Sequence, residues 1–396
     1  MIAKKMADFM ERASWIRKMF EEGARLKEIH GEDKVCDFSL GNPDLAPPQE
    51  FHRALLEEAG HTAPGIHSYM QNAGYTACRE RVAEQVEKDH GSRPDPNHII
   101  MTCGAAGGLN CIFKAILDPG DQVITPAPFF VEYGFYVDNH GGKLVPAPSK
   151  EDFSMDLARI EAAMTPSTKA ILINSPNNPT GAVYDTKSLM QLGELLKKKS
   201  MEYGKTIFLI SDEPYRHLVF DGAKVPGLFE IYAPTIVTTS FSKDLSIPGE
   251  RIGYCAINPA FPDRDLLSGA MTLANRILGF VNAPALMQRV VSRVLGMSVD
   301  VGTYEKRRDL FAEILTDAGL EFHMPKGAFY FFPKTPIPDD MEFAAILQKE
   351  LILTVPGSGF GRSGHVRIAF CVDETVIERS RDGFKRAVQR ARTRAK

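Results

Sequence analysis

Short apolar runs alternate with amphipathic segments over most of the chain. The runs include "HIIMTCG" (98–104), "DQVITPA" (121–127), "KAILINSP" (169–176) and "TIFLISDEPY" (206–215). The segments between them, such as "TKSLMQLGELLKKKS", place apolar residues at helical spacing. Apolar strands that alternate with amphipathic helices are typical of a mostly parallel sheet covered by helices on both faces. The pattern therefore predicts an α/β fold with its ligand site at the carboxyl ends of the strands.

The two ends of the chain show a different pattern. Residues 9–30 place apolar side chains at helical spacing, which predicts an amphipathic helix lying on a larger body. The stretch "VCDFSLGNPDLAPP" predicts a short strand followed by a loop. Beyond a helical region over about 264–320, "GAFYFFPK", "LILTVPG" and "HVRIAF" are strand-like, and "ETVIERSRDGFKRAVQRAR" is typical of a terminal helix. We therefore expect a smaller α+β lobe beside the large sheet.

Composition and charge indicate which class of binding partner the protein has. The chain has 396 residues, of which 44% are hydrophobic and 24% charged, with a formal net charge of −3. A chain of this size buries a large core and is expected to form two domains or lobes. The near-neutral balance, without long runs of Lys or Arg, argues against nucleic acid or an anionic membrane as partner and favours small molecules.

The cysteines and the N-terminal segment bear on the compartment. The six cysteines are scattered, without a Cys-x-x-Cys pair or zinc-like spacing to the ten histidines, so neither disulfides nor a metal site is expected. The first twenty residues carry charges every few positions, and no segment has the apolar length of a membrane span. We therefore expect a cytoplasmic protein.

Two glycine-rich stretches are similar to nucleotide-binding loops. "GFGRSG" (359–364) matches G-x-G-x-x-G, but a dinucleotide site needs a helix directly after it, and the strand-like "HVRIAF" follows instead. "TCGAAGGLN" (102–110) follows a strand and begins a helix, so the backbone N–H groups of Gly104, Ala105 and Ala106 are placed to bind an anion. It lacks the Gly-Lys-Ser/Thr ending of a triphosphate loop, and a small-residue turn without a ligand is the alternative.

Polar side chains follow three of the predicted strands. They are Asn177 and Asn178 after "KAILI", Asp212 and Tyr215 after "FLIS", and Ser240, Ser242 and Lys243 after "TIVTT". Each has an ordinary explanation when taken alone, as turn chemistry, a helix cap or a solvated lysine. A parallel sheet, however, brings the ends of successive strands side by side. We therefore expect one crevice that holds a carboxylate, amides, hydroxyls and a lysine next to the anion-binding helix start.

These residues carry a resemblance to a known family. The chain resembles the class I/II aminotransferases, fold-type I enzymes that depend on pyridoxal phosphate. The matching stretches run nearly end to end in the family's order: "LGNPD" (40–44), "YMQNAG" (69–74), "CGAAGGL" (103–109), "APFFVEY" (127–133), "SPNNPTG" (175–181), "SDEPY" (211–215), "SFSKDLSIPGERIGY" (240–254), "KGAFYFFP" (326–333) and "GHVRIAF" (364–370). The lysine block together with "NNPTG" is the most specific part of the match.

The resemblance implies a fold and its division into domains. The expected fold is the pyridoxal-phosphate-dependent transferase fold, an α/β fold whose large domain has a mostly parallel seven-stranded sheet sandwiched by helices. A smaller α+β domain is built from both termini. The expected ranges are 1–47 for the N-terminal arm and part of the small domain, 48–285 for the large cofactor-binding domain, and 286–396 for the C-terminal small domain.

The resemblance also implies which residues act on pyridoxal 5′-phosphate. Lys243 matches the lysine that forms a Schiff base with the cofactor and then moves the substrate's α proton, since an amine on a flexible stem can do both. Asp212 matches the carboxylate that keeps the ring nitrogen protonated. Asn178 and Tyr215 match donors to the ring's phenolic oxygen, which lower the basicity of the lysine linkage. Phe130 matches the residue that stacks on the ring, and its neighbour Phe129 is the alternative.

The phosphate and the substrate have implied ligands of their own. The phosphate would be held by Gly104, Ala105, Ala106, Ser240, Ser242 and Arg251. Arg367 matches the arginine that pairs with the substrate's α-carboxylate, assisted by Asn178 and the backbone of Gly41. An arginine flanked by apolar residues in a strand is costly without an anionic partner, which supports this role independently. Ser242 has the alternative of satisfying only the turn.

Tyr69 matches a tyrosine that reaches the phosphate of the neighbouring subunit. That match implies a homodimer whose active sites are shared between subunits. An ordinary loop aromatic is the alternative.

The implied reaction is a ping-pong transamination from an L-amino acid to a 2-oxo acid, with 2-oxoglutarate as the expected acceptor and no metal. One aspartate-specific subgroup has a lysine within the region of "CGAAGGL", where this chain has Gly107 and Gly108. An apolar or aromatic donor therefore stands beside a dicarboxylic one, with Trp15, Ile16 and Tyr69 as candidate pocket residues.

Similar proteins include lyases, synthases and a non-catalytic module as alternatives to a transaminase. A carbon-sulfur β-lyase or a cyclopropane-forming synthase on the same scaffold would keep Lys243, Asp212 and Arg367, and is separated from a transaminase by needing no oxo acid. A non-catalytic cofactor-binding module of a DNA-binding regulator would need a basic patch that this sequence lacks.

Overall fold

The computed structural model of the protein describes residues 2–394, and the side chains of all of these except residues 11–20. The helices are α1 (Lys4–His30), α2 (Gln49–Ala59), α3 (Thr76–His90), α4 (Gly104–Ile116), α5 (Glu132–Asn139), α6 (Leu157–Ala163), α7 (Thr186–Tyr203), α8 (Arg264–Ile277), α9 (Ala285–Arg293), α10 (Val301–Ala318), α11 (Asp340–Lys349), α12 (Glu374–Arg379) and α13 (Arg381–Arg394). The strands are β1 (Cys36–Asp37), β2 (Ile99–Thr102), β3 (Gln122–Ala127), β4 (Lys143–Pro148), β5 (Thr168–Asn174), β6 (Phe208–Asp212), β7 (Thr235–Ser240), β8 (Gly253–Ile257), β9 (Tyr330–Phe331), β10 (Ile352–Leu353), β11 (Val355–Pro356) and β12 (Val366–Ala369).

A seven-stranded sheet forms the centre of the molecule. Its strand order is β2-β8-β7-β6-β5-β3-β4. The pairs β7-β6, β6-β5, β5-β3 and β3-β4 are parallel, and β8 runs antiparallel to both of its neighbours. The expected α/β fold with a mostly parallel seven-stranded sheet is therefore confirmed.

Both faces of this sheet are buried, which explains why its strands are almost entirely apolar. Along β5, Ile171 and Ile173 belong to one hydrophobic cluster, and Ala170 and Leu172 belong to another. Successive residues of a strand point to opposite faces, so a strand covered on both sides is apolar at most positions. The polar interior positions include the buried Thr125 and Thr238, and the carboxylate, amide and serine groups lie at the strand ends.

A second hydrophobic core contains residues from both ends of the chain. Its hydrophobic cluster contains Phe38 near the N-terminus together with Phe311, Phe331 and Phe384. Here β1 pairs with β10 in parallel, and β12 lies between β11 and β9 in a small antiparallel sheet. The N-terminal segment is therefore tied to the C-terminal region by both hydrogen bonds and apolar contact.

Some elements differ from the sequence expectation. The helical region over 264–320 is three helices, and the first break contains Gly279, whose φ of 91° is in the range that favours glycine. The expected terminal helix is divided at Ser380 into α12 and α13, and "GAFYFFPK" forms only the two-residue strand β9. Strand β8 was not expected, because its five apolar residues directly follow a loop and carry no alternation.

The stretch "GFGRSG" has the structure expected for a loop without a dinucleotide. A short 3-10 turn at Gly357–Phe360 includes its first two residues, and β12 follows it. Separately, no helix in the described part of the chain is both long and apolar enough to cross a membrane.

Candidate active site

A cavity of about 390 Å³ lies at the carboxyl edge of the large sheet. Asn174, Asp212 and Ser240 are the last residues of β5, β6 and β7, and all three line this cavity. The first turn of α4 contributes Ala105 and Ala106. The cavity is therefore at the place where an open parallel sheet is expected to bind a ligand.

The structure brings nearly all of the predicted site residues to this cavity. Those that line it are Gly41, Ala105, Ala106, Phe130, Asn178, Asp212, Tyr215, Ser240, Ser242, Lys243, Arg251 and Arg367. Gly104 lies directly beside Arg251, because a Cβ added to it would be 2.7 Å from an Arg251 guanidinium nitrogen. Tyr69 lies elsewhere.

Lys243 directs its amine toward the cavity. Its Nζ donates a hydrogen bond of 2.7 Å to the carbonyl oxygen of Gly41. Burial lowers the pKa of this amine to about 8, and the positive charges of Arg367 and Arg251 act in the same direction. A larger fraction of Lys243 is therefore neutral, and able to act as a nucleophile, than of an exposed lysine at the same pH.

Asp212 has one carboxylate oxygen satisfied and one free. Its Oδ2 accepts a hydrogen bond of 2.5 Å from the hydroxyl of Tyr133. Its Oδ1 is buried without a hydrogen-bond partner among the described residues. Burial raises the pKa of the carboxyl to about 7, while the bond from Tyr133 opposes this rise. A cationic N–H on a bound ligand would satisfy Oδ1 and compensate the buried charge.

The start of α4 and Arg251 form a site suited to an anion. The free N–H groups of the first turn and the helix dipole favour negative charge there. Arg251 adopts a left-handed φ of 50° and donates from its guanidinium to the carbonyl oxygen of Pro248 at 2.8 Å. The buried residues Ser240 and Ser242 line the same cavity. A phosphate group fits this combination of donors.

Gly107 and Gly108 do not face the cavity, which corrects the sequence argument based on them. A Cβ at Gly108 would lie 2.7 Å from Cys255 Sγ, and one at Gly107 would contact Cys103. Within this stretch it is Ala105, Ala106 and Leu109 that line the cavity. None of these three positions carries a basic side chain.

Arg367 is a buried cation held by neutral groups. Its guanidinium donates to Asn178 Oδ1 at 3.1 Å and to the carbonyl oxygen of Ser39 at 2.6 Å. It lies 4.8 Å from the ring centroids of both Tyr330 and Phe360, and its Nε has no hydrogen-bond partner among the described residues. A guanidinium that lies close to two aromatic rings and has an unpartnered N–H is suited to bind a carboxylate.

The two candidate ring-stacking residues are distinguished by position. Phe130 lines the cavity. The backbone N–H of Phe129 instead donates to the carbonyl oxygen of Phe360, and its ring lies against Gly361. The geometry therefore supports Phe130 as the stacking residue.

Tyr69 is the predicted residue that the structure leaves outside the cavity. Its side chain is 92% exposed and borders a separate surface depression with Met70, Asn282 and Ala285. Trp15 and Ile16, the other candidate pocket residues, lie outside the described side chains.

Sequence reasoning assigned no role to three residues that the structure places at the site. Asn174 donates to the carbonyl oxygen of Asp212 and accepts from the backbone N–H of Asn178, both at 2.7 Å. The hydroxyl of Tyr330 lies 2.9 Å from that of Tyr215. Tyr133 and Tyr330 both lie within the matched stretches and have apolar neighbours in sequence. A tyrosine in such a segment is expected to be buried and to hydrogen-bond through its hydroxyl, and this signal was available in the sequence.

Comparisons with known proteins place the chain in a family. Residues 33–383 match the family described as aminotransferase class I and II. The chain belongs to this family. It is 36% identical over 381 residues to a probable aspartate/prephenate aminotransferase of Thermus aquaticus, with 92% of this chain and 95% of that protein covered. An aromatic-amino-acid aminotransferase of Thermococcus litoralis is 31% identical, with 96% and 97% covered. The solved structure of an aminotransferase from Eubacterium rectale has a TM-score of 0.95 and 38% identity, with 98% of both chains covered.

The protein is therefore an aminotransferase, and its family depends on pyridoxal phosphate. The residues at the cavity fit that cofactor. The free buried Oδ1 of Asp212 suits a protonated ring nitrogen, the start of α4 with Arg251 suits a phosphate, and the amine of Lys243 suits an aldehyde.

Proposed function

We propose that this aminotransferase moves an amino group from an L-amino acid to a 2-oxo acid in two half-reactions of a ping-pong cycle, with 2-oxoglutarate as the acceptor. The observation that carries the proposal is the convergence on one cavity of the Lys243 amine, the unsatisfied Asp212 carboxylate and the Arg367 guanidinium. These three groups supply a proton carrier, an anchor for a cationic ring nitrogen and a carboxylate receptor.

The proposed roles divide between holding the cofactor and moving a proton. When bound, the cofactor accepts the amino group and stabilises the electron pair left on the substrate's Cα. Asp212 would hold the ring nitrogen through Oδ1, and Asn178 and Tyr215 would donate to the ring's phenolic oxygen. Lys243 Nζ would take the proton from Cα of the amino donor and deliver it to the bound cofactor within the first half-reaction, and would move a proton in the reverse direction, onto Cα of the new amino acid, in the second.

The remaining predicted residues hold the phosphate and the ring in this proposal. Phe130 packs on the face of the ring. The phosphate would be held at the start of α4 and at the lysine block by Gly104, Ala105, Ala106, Ser240, Ser242 and Arg251.

Arg367 binds the α-carboxylate of the substrate in this proposal. Its partners in the structure are neutral, so a carboxylate would add charge compensation that Asn178 and Ser39 do not supply. Gly41 is close enough to take part, because its carbonyl oxygen already accepts from Lys243. A side chain at Gly41 would lie 2.7 Å from a ring carbon of Tyr330, so the loop approaches the site closely only with glycine.

The wall of the cavity favours an apolar or aromatic amino donor. It contains Leu40, Leu109, Phe130, Tyr136 and Phe360. Its cations among the described residues are Lys243, Arg251 and Arg367, each of which has a proposed partner already. The name of the Thermococcus litoralis relative, an aromatic-amino-acid aminotransferase, agrees with an aromatic donor, whereas the Thermus aquaticus relative is named for aspartate and prephenate.

A panel of amino acids assayed against 2-oxoglutarate tests this function. We expect glutamate and the oxo acid of the donor to form in equal amounts, with aromatic and large apolar donors reaching kcat/KM at least about ten-fold above that of alanine, because a pocket of this kind gains binding energy from buried apolar area. An assay without 2-oxoglutarate is the control and should yield no sustained turnover. Inactivity over the whole panel, with pyruvate and ammonia released from cysteine conjugates, would replace the transaminase by a β-lyase.

We further propose a homodimer with shared active sites. Tyr69 is almost fully exposed, and α8 presents Leu266, Leu273 and Ile277 on one side with more than half of each side chain accessible: 77%, 51% and 56%. Positions spaced by seven and four residues lie on the same face of a helix. An exposed apolar stripe of this kind is expected to be covered by a second copy.

Mixing two defective variants tests the shared site. Tyr69→Ala and Lys243→Ala homodimers should each be impaired, but refolding them together in equal amounts should restore about a quarter of wild-type activity, since about half of the dimers are mixed and each has one intact site. Mixing Tyr69→Ala with wild-type protein is the reference for exchange. No restoration, despite mixed dimers detected by mass spectrometry, would show that Tyr69 acts within its own subunit.

We also propose the domain ranges 1–47 with 286–396 for a small domain and 48–285 for the large domain. The shared packing of Phe38 with Phe311 and Phe384 supports the assignment of both termini to one small domain.

A cytoplasmic location is proposed as well, because all six cysteines are free thiols in the structure.

A further inference from the structure

A second cluster of charged side chains lies behind the cavity, on the other side of two strand ends. Glu213 directly follows Asp212, and Asp244 directly follows Lys243. Asp212 and Lys243 line the large cavity, whereas Glu213 and Asp244 line a separate internal space of about 20 Å³. Each of the two central groups of the active site therefore has a carboxylate neighbour that faces away from the substrate.

Arg216 connects Glu213 to helix α3. Its NH1 donates to Glu213 Oε2 at 3.0 Å, and its Nε lies 3.8 Å from Asp89 Oδ1. The guanidinium also donates to the backbone carbonyl oxygens of Asp89 and Val225. Burial would raise the pKa of Glu213, but the charges of Arg216 and His90 lower it to about 2, so Glu213 is ionised.

His217 connects the same helix to Asp244. Its Nε2 lies 3.2 Å from Asp89 Oδ1, and its Nδ1 lies 3.4 Å from Asp244 Oδ2. Burial would lower the pKa of His217, but its bonds to Asp244 and Asp89 raise it to about 10. The ring is therefore an imidazolium at neutral pH, and both of its nitrogens donate to carboxylates.

Asp89 is the point where these contacts meet. It accepts from His217, lies beside Arg216, and receives a hydrogen bond of 3.1 Å from Gln85 one turn earlier in α3. The contacts run without a break from Glu213 through Arg216, Asp89 and His217 to Asp244. They join the residue after Asp212 to the residue after Lys243 through a third element, the end of α3.

Resting on the proposed function, we propose that Asp89 is a positioning residue: through Arg216 and His217 it sets the separation between the Asp212 carboxylate and the Lys243 amine. None of the five residues of this chain of contacts lines the substrate cavity. These residues therefore act on the reaction only by positioning the backbone that carries Asp212 and Lys243. A small displacement of that backbone would lower the reaction rate strongly.

The variant that tests this role is Asp89→Asn. It keeps the size of the side chain and removes the charge that both cations share. Glu350→Gln is the matched control, because Glu350 is comparably buried and holds two arginines, Arg386 at 2.8 Å and Arg390 at 3.2 Å, away from the cavity. Both variants neutralise a largely buried carboxylate that pairs with two cations, but Arg386 and Arg390 are about half exposed whereas Arg216 is buried, so Asp89→Asn should lower Tm more than Glu350→Gln does.

Only Asp89→Asn should change the chemistry. We expect its kcat to fall about ten-fold while KM changes by less than about three-fold, because positioning acts on the transition state more than on binding. In the holoenzyme without substrate, the midpoint of the pH titration of the cofactor's visible absorbance should move by roughly half a pH unit or more, since the surroundings of Lys243 change. Glu350→Gln should leave both values as in the wild type.

Two results separate a failure of the positioning role from a failure of the proposed function. Asp89→Asn with the wild-type midpoint and kcat but a lowered Tm would overturn the positioning role and leave a structural one. A wild-type protein with no transamination and no titrating visible band would instead overturn the proposed function. If Asp89→Asn does not fold, His217→Gln, which removes the bridging cation instead, is measured in the same way and should show the same shifts.

Discussion

Replacing Lys243 with alanine should reduce transamination by at least about a thousand-fold, because the change removes the proposed covalent anchor of the cofactor and the proposed carrier of the Cα proton. Lys243 is the amine that lines the cavity with a pKa lowered to about 8, and its Nζ donates a hydrogen bond to the carbonyl oxygen of Gly41. Lys243→Arg should be equally inactive, because a guanidinium keeps the charge but stays protonated and cannot exchange a proton with carbon.

Oxo-acid formation measures this loss, and borohydride reduction of the holoenzyme followed by peptide mapping identifies the anchor. The label should appear on the peptide that contains residue 243 and disappear in both variants. Lys197→Ala is the control, since Lys197 is 60% exposed and pairs only with Glu194 among the described residues. A label on any other lysine of the wild type would refute the assignment.

Replacing Asp212 with asparagine should reduce kcat/KM by about a hundred- to a thousand-fold, because an amide cannot compensate the charge of a cationic ring nitrogen at the buried position proposed for it. The buried Oδ1 has no partner in the described structure, which supports the proposal that the carboxylate binds a ligand. Tyr133→Phe is the companion variant. It removes the donor to Oδ2 but keeps the carboxylate, and it should cost about ten-fold or less.

Asp212→Asn should also stabilise the cofactor-free protein. Burial raises the pKa of Asp212 to about 7, so the folded protein binds this proton more tightly than the unfolded chain. The resulting loss of stability grows as pH rises from the unfolded to the folded pKa and is complete above the latter. Asp212→Asn should therefore raise Tm more at about pH 8 than at about pH 5. Equal Tm differences at both pH values, measured by calorimetry, would contradict an uncompensated charge at this position.

The opposite directions of these two effects are informative together. Replacing a residue that serves the stability of the fold would lower both activity and Tm. Replacing a residue that is held in an unfavourable state for function lowers activity but raises Tm, which is the pattern expected when an active site retains strain or buried charge.

Much of the fold followed from local pattern. Apolar strands such as β5, β6 and β7 and the amphipathic helix α7 were predictable because burial on two faces or on one stripe leaves a clear period in the sequence. Strand β8 was not, since an apolar run of five after a loop has no distinctive period, and its pairing with β2 and β7 is long-range.

The membership of the site was largely predictable too, but its internal contacts were not. Strand ends and matched stretches indicated Asp212, Lys243 and Arg367. They did not show that Tyr133 donates to Asp212, or that Lys243 binds the carbonyl of Gly41 from a distant part of the chain. Such contacts depend on side-chain direction and on the packing of segments far apart in sequence, neither of which has a periodic signal.

The sequence by itself determined the α/β architecture and the set of chemically competent residues, because periodicity and residue type are properties of the chain. Tertiary structure alone decided that Gly107 and Gly108 point away from the cavity, that one oxygen of Asp212 is left free, and that Asp89 joins the backs of two strand ends. Each of these features depends on burial and on the distance between segments that are far apart in sequence. The free energy of a buried charge depends on the partners that the tertiary structure places next to it.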